Sequence, residues 1–277
     1  MNEVPSRARS AAVVVWLFVL ATGIGLSIEA RAGGLWMFED AGPTVGTAAA
    51  GRAAIASDAT TARGNPAGMT RLDGNQMVVG GQPIVYRAKF DSEKPGTFGG
   101  GDGGDAGGVF PSAAVYTVHD LAEDWRVGFA ISSALGLGVD YGSDWAGRYY
   151  VQEATFATVS FMPSVAYRVT DWLSISGGAG LNYADLHQKA AINNALTDAG
   201  LPDGQLEVDE SNWAPFAHAG ILVEPRRGTR FGLTYISKVD HDFEDALSTS
   251  GVGPNLEASL GGWQGRRWTW TSTCRSR

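Results

Sequence analysis

"FATVSFMPSVAYRVTDWLSISGGAGLNY" covers residues 156 to 183 and holds two runs of one texture around a two-residue break. Side chains of a strand point to opposite faces in turn. Polar and apolar residues that trade places one by one therefore mark a sheet with a different medium on each side. The alternation predicts strands over 154–169 and 172–187, joined through Thr170 and Asp171. Only antiparallel neighbours can share so tight a link.

Working outward, the same texture recurs at 76–90, 110–119, 125–140, 207–225 and 229–239. In the last of these, Phe231, Leu233, Tyr235 and Val239 share one face, interrupted by Ser237. Arg230, Gly232, Thr234, Ile236 and Lys238 share the other. The links at 120–124, 170–171 and 226–228 are short, and those at 91–109, 141–153 and 188–206 are long. Strict alternation of short and long is the wiring of a transmembrane β-barrel, with tight periplasmic turns and longer outer loops. A soluble sandwich needs no such parity. Trp125 and Trp172 fall beside short turns, where an aromatic girdle belongs. A membrane strand needs about 9 to 11 residues in the hydrocarbon, and every run reaches that length. A sheet in lipid must close on itself, because unpaired backbone groups have no water to turn to.

The N-terminus sets the compartment. Arg7 and Arg9 precede an apolar run from Ala11 to Leu26, followed by Ala30-Arg31-Ala32. This is the pattern of a secretory signal peptide over residues 1–32, and its run is shorter than the ~20 residues of a spanning helix. Net charge is −8 over 277 residues, so no basic footprint points to nucleic acid. The one cysteine, Cys274, makes no internal disulfide. No Cys/His cluster has metal-ligand spacing, no Walker motif occurs, and no nucleophile–base constellation stands out, so neither cofactor nor enzyme activity is expected.

Residues 33–75 contain no alternating strand and read as an N-terminal plug, with 76–260 as the barrel wall. "TVGTAAAGRAAIASDATTA" (44–62) reads as one or two helical turns broken at Gly51, and Asn65-Pro66 ends the segment. A barrel lumen holds either water or a stopper. A compact, small-residue segment ahead of the first strand suits the second.

At these residues the chain resembles the FadL family of outer-membrane transporters for long-chain fatty acids and other hydrophobic compounds. The blocks that carry the resemblance are "GTAAAGRAAIASDATTARGNPAGMTRL" (46–72), "DWAGRYYVQEATF" (144–156), "MPSVAYRVTDWLSISGGAGLNY" (162–183) and "FGLTYISKVDHDFEDAL" (231–247). The resemblance implies an antiparallel barrel of roughly fourteen strands, within the even-numbered range of such proteins. It implies a luminal plug ending in an Asn-Pro-Ala motif, here Asn65, Pro66 and Ala67. It further implies passive uptake, with capture of the ligand on outer loops and lateral release through a gap made by a kinked strand. Hydrophobic small molecules, outer-membrane lipid and lipopolysaccharide, and the outer-membrane assembly machinery are the partners so implied.

The candidate gating residues are Asn65, Pro66 and Ala67, with Asp58 and Arg52 as possible tethers of the plug to the wall. The candidate ligand-capture residues are Trp145, Arg148, Tyr149 and Tyr150 in one outer loop and Ile192 and Leu196 in the next. "HQKAAINNALTDAGLPDG" (187–204) has helical spacing, and Arg148 or Lys189 is placed to take a carboxylate. Loop-on-loop packing competes with capture at each of these positions. Asp240, Asp242, Glu244 and Asp245 around His241 read as a solvated loop rather than a cation site.

Seven strands make half of the implied barrel and leave two open edges. The tail 261–277 has four arginines, no acids and three tryptophans, and breaks the alternating texture. It reads as an atypical, out-of-frame end of a truncated chain. The competing functions are a non-transporting outer-membrane barrel, such as an adhesin or structural protein, a non-functional fragment of a transporter, and a soluble periplasmic lipid-binding barrel.

Overall fold

Alternation of burial along every strand shows which medium each face meets. A computed structural model describes residues 46–91, 99–133, 136–243 and 247–260, all within one unit, Trp36–Arg277. The expected signal peptide, residues 33–45 of the plug, Glu244, Asp245, Cys274 and the tail 261–277 lie outside the described residues. Strands β1 (Gln76–Val85), β2 (Val109–Asp120), β3 (Trp125–Ser132), β4 (Gly136–Asp140), β5 (Glu153–Thr170), β6 (Leu173–Ile192), β7 (Gly204–Arg226), β8 (Thr229–Ile236) and β9 (Leu247–Ser250) form one antiparallel sheet. Its order is β1-β2-β3-β5-β6-β7-β8, with β4 paired to β5 and β9 to β7.

The outward face is apolar. Met77, Val79, Val165, Ile175, Leu181, Ile221, Phe231, Leu233 and Tyr235 are exposed on it. The inward face mixes polar and apolar residues: Ser112, Ser132, Thr158, Ser160, Ser164, Ser174, Asn182 and His218 are buried beside Tyr116, Val118, Met162, Phe216 and Leu222. An apolar outer face around an interior that admits so many polar side chains is the signature of a membrane barrel. Among the described residues no helix is long and apolar enough to cross a bilayer, so the crossing elements are strands.

Aromatic residues mark two levels. Trp125 lies 4.6 Å from Tyr167, ring centre to ring centre, next to Trp172 at the short-turn end. Trp213 meets Tyr183 at 5.0 Å and Phe161 at 5.6 Å further up. Roughly ten residues separate the levels, which at ~3.3 Å each and ~40° of tilt makes about 25 Å of apolar band. Strands β5, β6 and β7 continue above it. There Lys189 Nζ lies 3.5 Å from both Glu153 and Glu207, and His187 lies between Glu153 and Asp209. These charges face outward, beyond the hydrocarbon.

The alternating wiring holds, and several boundaries move. The first strand ends at Val85, not at residue 90. The run 125–140 is two strands. Ser132 pairs with Ser160 and Gly136 with Ala157, so the pairing to β5 shifts by one residue between β3 and β4. The helix expected over 187–204 is absent: His187–Ile192 extends β6, and only Asn194–Leu196 makes a 3-10 turn. The reason is long-range. Ladder pairs from Gln188↔Val208 to Ile192↔Gly204 outweigh local helical spacing, and Gly200 (φ 90°) with Pro202 prevents a longer helix. Strand β8 stops at Ile236, and Val239 packs against the core instead of sharing the face of Phe231. The chain there turns inward. His241 is buried with Nε2 2.8 Å from Asn182 Oδ1, and Asn182 donates to Ser160 Oγ at 2.7 Å.

Pro163 sits inside β5 where the ladder to β6 is interrupted: pairs run to Phe161↔Leu181 and resume at Val165↔Gly177. It has no N–H to lose, and its carbonyl lies 3.0 Å from His218 Nε2, reached across Gly178.

Placing a charge on the apolar band tests the orientation. Ala217→Arg, outward-facing and midway between the two aromatic levels, is expected to destabilise the folded chain in phospholipid vesicles by about 2–4 kcal/mol in urea titration. Asp209→Lys, on the same face above the band, is expected to be near neutral. Equal effects at the two positions would refute the assignment of levels.

Candidate functional site

The leading segment lies against the inner face of the sheet. Thr47 to Ile55 forms tight turns, with Ala48 and Ala49 at positive φ and Gly51 at 76°. A one-turn helix α1 (Thr61–Gly64) and a 3-10 helix Pro66–Arg71 follow. Pro66 opens the latter, where a missing N–H costs nothing. Everything from Thr61 to Thr70 is buried.

Asn65 is the anchor. Its Nδ2 donates to Ala53 O at 2.6 Å and to Ile221 O of β7 at 3.0 Å, while its Oδ1 accepts from Ala67 N at 3.2 Å. Around it, Thr234 Oγ1 donates to Gly64 O (3.0 Å), Arg168 Nη2 to Thr70 O (2.6 Å), and Thr70 and Ser174 share a hydroxyl bond of 2.7 Å. Arg63 Nε donates to Ser132 Oγ at 3.3 Å. At the short-turn end, Glu224 lies between Arg71 (3.4 Å) and Arg230 (3.2 Å).

The wall is hollowed to receive this segment. A Cβ at Gly220 would overlap Asn65 Oδ1, one at Gly232 would overlap Ala53 O, and one at Gly128 would overlap Met69 Sδ. Each is an inward position, so glycine there provides depth. These docking glycines were not singled out from sequence; their signal was Gly at inward positions of alternating strands. Asp58 serves its own segment rather than the wall, accepting from Thr60 N at 2.8 Å. Arg52 packs over Gly64, and burial followed by the neighbouring Arg63 charge lowers its guanidinium to about 10.

On the upper loops the candidate residues separate. Trp145 is buried, stacked on Tyr141 at 4.1 Å, and donates to Val151 O at 2.6 Å. Arg148 Nε lies 2.8 Å from Asp203, and Tyr149 donates to the same carboxylate at 2.9 Å. The hydrogen bond to Asp203 holds Arg148 above its ordinary range. Together they clasp two loops. Tyr150 and Leu196 are exposed, and Ile192 is half-buried. A second clasp joins Asn194, which donates to Pro202 O and Gly251 O, to helix α2 (Pro254–Leu260). Asp198 accepts from Asn255 N and Leu256 N there. Burial would raise its carboxyl, but these hydrogen bonds bring it below the usual value. Among the described residues no His, Cys, Asp and Glu side chains are grouped to hold a metal.

The wall beside the upper half of β2 lacks its ladder. Strand β2 pairs with β3 only up to Ala114↔Ser132, while β1 pairs with β2 as far as Val109. Residues 109–113 therefore face β4 without ladder pairs. The window is closed above by Asp140 N donating to Ala106 O at 3.0 Å. Tyr86 OH crosses it and accepts from Gly138 N at 3.2 Å. Phe110 covers Gly136, where a Cβ would fall within the ring. Five residues at ~3.3 Å give it a height of roughly 17 Å.

An antiparallel sheet with an apolar outer band, two aromatic levels and its own leading segment docked on the inner face defines an outer-membrane β-barrel protein. The family model described as "Outer membrane protein transport protein (OMPP1/FadL/TodX)" matches residues 23–264, and the chain belongs to that family. It is 27% identical over 268 residues to a long-chain fatty acid transport protein of Escherichia coli O6:H1, covering 87% of this chain and 58% of the relative. It is 28% identical over 272 residues to outer membrane protein P1 of Haemophilus influenzae, with 84% and 59% covered. A solved FadL homologue from Pseudomonas aeruginosa superposes with a TM-score of 0.64 at 19% identity, covering 78% of this chain and 56% of that one. The CymD monoaromatic hydrocarbon channel gives 0.59 at 14% identity, with 79% and 58% covered. The chain thus spans under three fifths of the length of these relatives. The family places it in the outer membrane of a Gram-negative cell.

Removing the anchor tests the docking. Asn65→Ala leaves Ile221 O and Ala53 O without their donor, and is expected to loosen the segment by about 1–3 kcal/mol. Gly232→Val is expected to displace it outright. The measurement is tryptic cleavage after Arg63 in the reconstituted chain, which should accelerate in both variants while the heat-modifiable gel shift of the sheet persists. Unchanged cleavage in Gly232→Val would refute the docked arrangement.

Proposed function

We propose that this chain is the plug and adjoining wall of an outer-membrane channel that takes up hydrophobic compounds passively, acting as a channel rather than an enzyme. The window between β2 and β4 is the observation that carries the reading. It opens the lumen toward lipid beside the docked plug, and side chains rather than ladder bonds close it. Names of relatives agree: one is a long-chain fatty acid transport protein, and another is the toluene transporter TbuX of Ralstonia pickettii.

The physics favours sideways release. Passing through water costs an apolar molecule roughly 0.8 kcal/mol per CH₂. A route from a dry lumen into the membrane avoids that. Residues 33–75 act as the plug and 76–260 as the wall. Asn65, Pro66 and Ala67 set the plug's rest position, with Arg52 and Asp58 shaping it. Exposed Tyr150 and Leu196, with Ile192, receive the ligand on the outer loops that Trp145, Arg148 and Tyr149 hold in shape. Arg148 then acts as a clasp, since its guanidinium is engaged by Asp203. Lipopolysaccharide would meet the charged strand extensions, and outer-membrane assembly machinery would insert the sheet. A non-transporting barrel needs no window, so the two readings part at Gly136.

Cells lacking their own carrier and producing this chain should accumulate labelled oleate or toluene above empty-vector cells. Gly136→Val wedges a branched side chain against Phe110 and is expected to cut that uptake at least about tenfold, equivalent to ~1.4 kcal/mol, with membrane insertion unchanged. Full uptake in the variant would exclude release through the window.

A further inference from the structure

We propose that Gln82 and Ser112 form a subsite beside the window that receives the hydroxyl group of an otherwise apolar ligand, an alcohol or a phenol. The inference rests on the reading of the window as the ligand's exit. The two residues are direct cross-strand partners on β1 and β2, and both point to the lumen. Gln82 Oε1 and Ser112 Oγ are each buried and without a hydrogen-bond partner. Ser112 retains only 5% exposure. Two such atoms facing one another across a single register pair are unusual, because buried polar groups are nearly always satisfied.

Their chemistry defines the missing partner. An amide oxygen only accepts; a serine hydroxyl donates or accepts. Opposed side chains start from Cβ atoms about 5 Å apart, so one ligand oxygen reaches both tips once it displaces the groups that now cover them. A ligand hydroxyl meets both needs: it donates to Gln82 Oε1 and accepts from Ser112 Oγ. An ionised carboxylate brings no proton for Gln82 Oε1. A plain hydrocarbon satisfies neither atom.

The surroundings fit the rest of such a molecule. Above the pair, Ile84 and Phe110 are the next inward partners, and Phe110 is the ring that covers Gly136. Below it lie Gly80 and Ala114, also partners and both small. A ligand whose oxygen rests between Gln82 and Ser112 therefore has its apolar body against Phe110, at the window itself. The subsite orients the ligand before it leaves.

The probes are 4-nonylphenol and nonylbenzene, which differ by one hydroxyl. Their binding to the full chain in phospholipid vesicles is measured after subtracting uptake by protein-free vesicles. The wild-type chain is expected to prefer nonylphenol about tenfold. Gln82→Leu combined with Ser112→Ala is expected to abolish the preference by weakening nonylphenol binding; the heat-modifiable gel shift reports that the double variant still folds. Ser112→Thr, which keeps the hydroxyl, is expected to retain the preference. Equal binding of the two probes by the wild-type chain, tighter binding of decanoate than of nonylphenol, or an intact preference in the double variant would each overturn the subsite and leave the window reading standing. Binding of neither probe would overturn both.

Discussion

Hydrocarbon offers a backbone amide no partner, and this single constraint organises the molecule. It forces the chain into long antiparallel strands whose ladders satisfy one another, and it makes each short turn fall at the same edge. It puts apolar side chains outward and allows serines, asparagine and histidine into the interior beside the apolar residues that pack on the leading segment. It also gives meaning to the one stretch of β2 that goes without ladder partners on its β4 side. A gap of that kind in lipid is costly, and here Tyr86 OH supplies an acceptor for Gly138 N where a strand would otherwise have done so. A side chain can swing away; a ladder cannot do so without unzipping.

Much of the wall was legible because period-two alternation is a local signal that the bilayer enforces. Phe231, Leu233 and Tyr235 on one face, and Arg230, Gly232, Thr234 and Ile236 on the other, are arranged as their spacing indicates. Boundaries failed where distant partners decide. Residues 187–192 have helical spacing, yet β7 draws them into a ladder. The run 125–140 reads as one strand because a one-residue shift in its pairing to β5 leaves no mark that composition can reveal. The Asn-Pro-Ala motif pointed to the plug, but the meaning of Asn65 lies in a carbonyl 156 residues away, at Ile221. Trp145 and Arg148 look like an exposed binding surface in one dimension, and fold as a clasp because Tyr141 and Asp203 come to meet them.

Plug and wall fit by subtraction. Gly128, Gly220 and Gly232 withhold side chains at the three places where Met69, Asn65 and Ala53 press against the sheet. A segment held by a few directed hydrogen bonds over shallow hollows has a defined resting place, yet buries little large apolar surface to lock it there.

The charged extension of β5, β6 and β7 above the upper tryptophan bears on how the protein enters its membrane. Glu153, Lys189, Glu207 and Asp209 sit on the far side of the apolar band from the short turns. Each must be carried through the oily layer once, and a lysine at its middle costs about 2–4 kcal/mol. After the passage the same toll bars the return. The crown thus works as a ratchet, fixing which way up the finished sheet stands without any further lock.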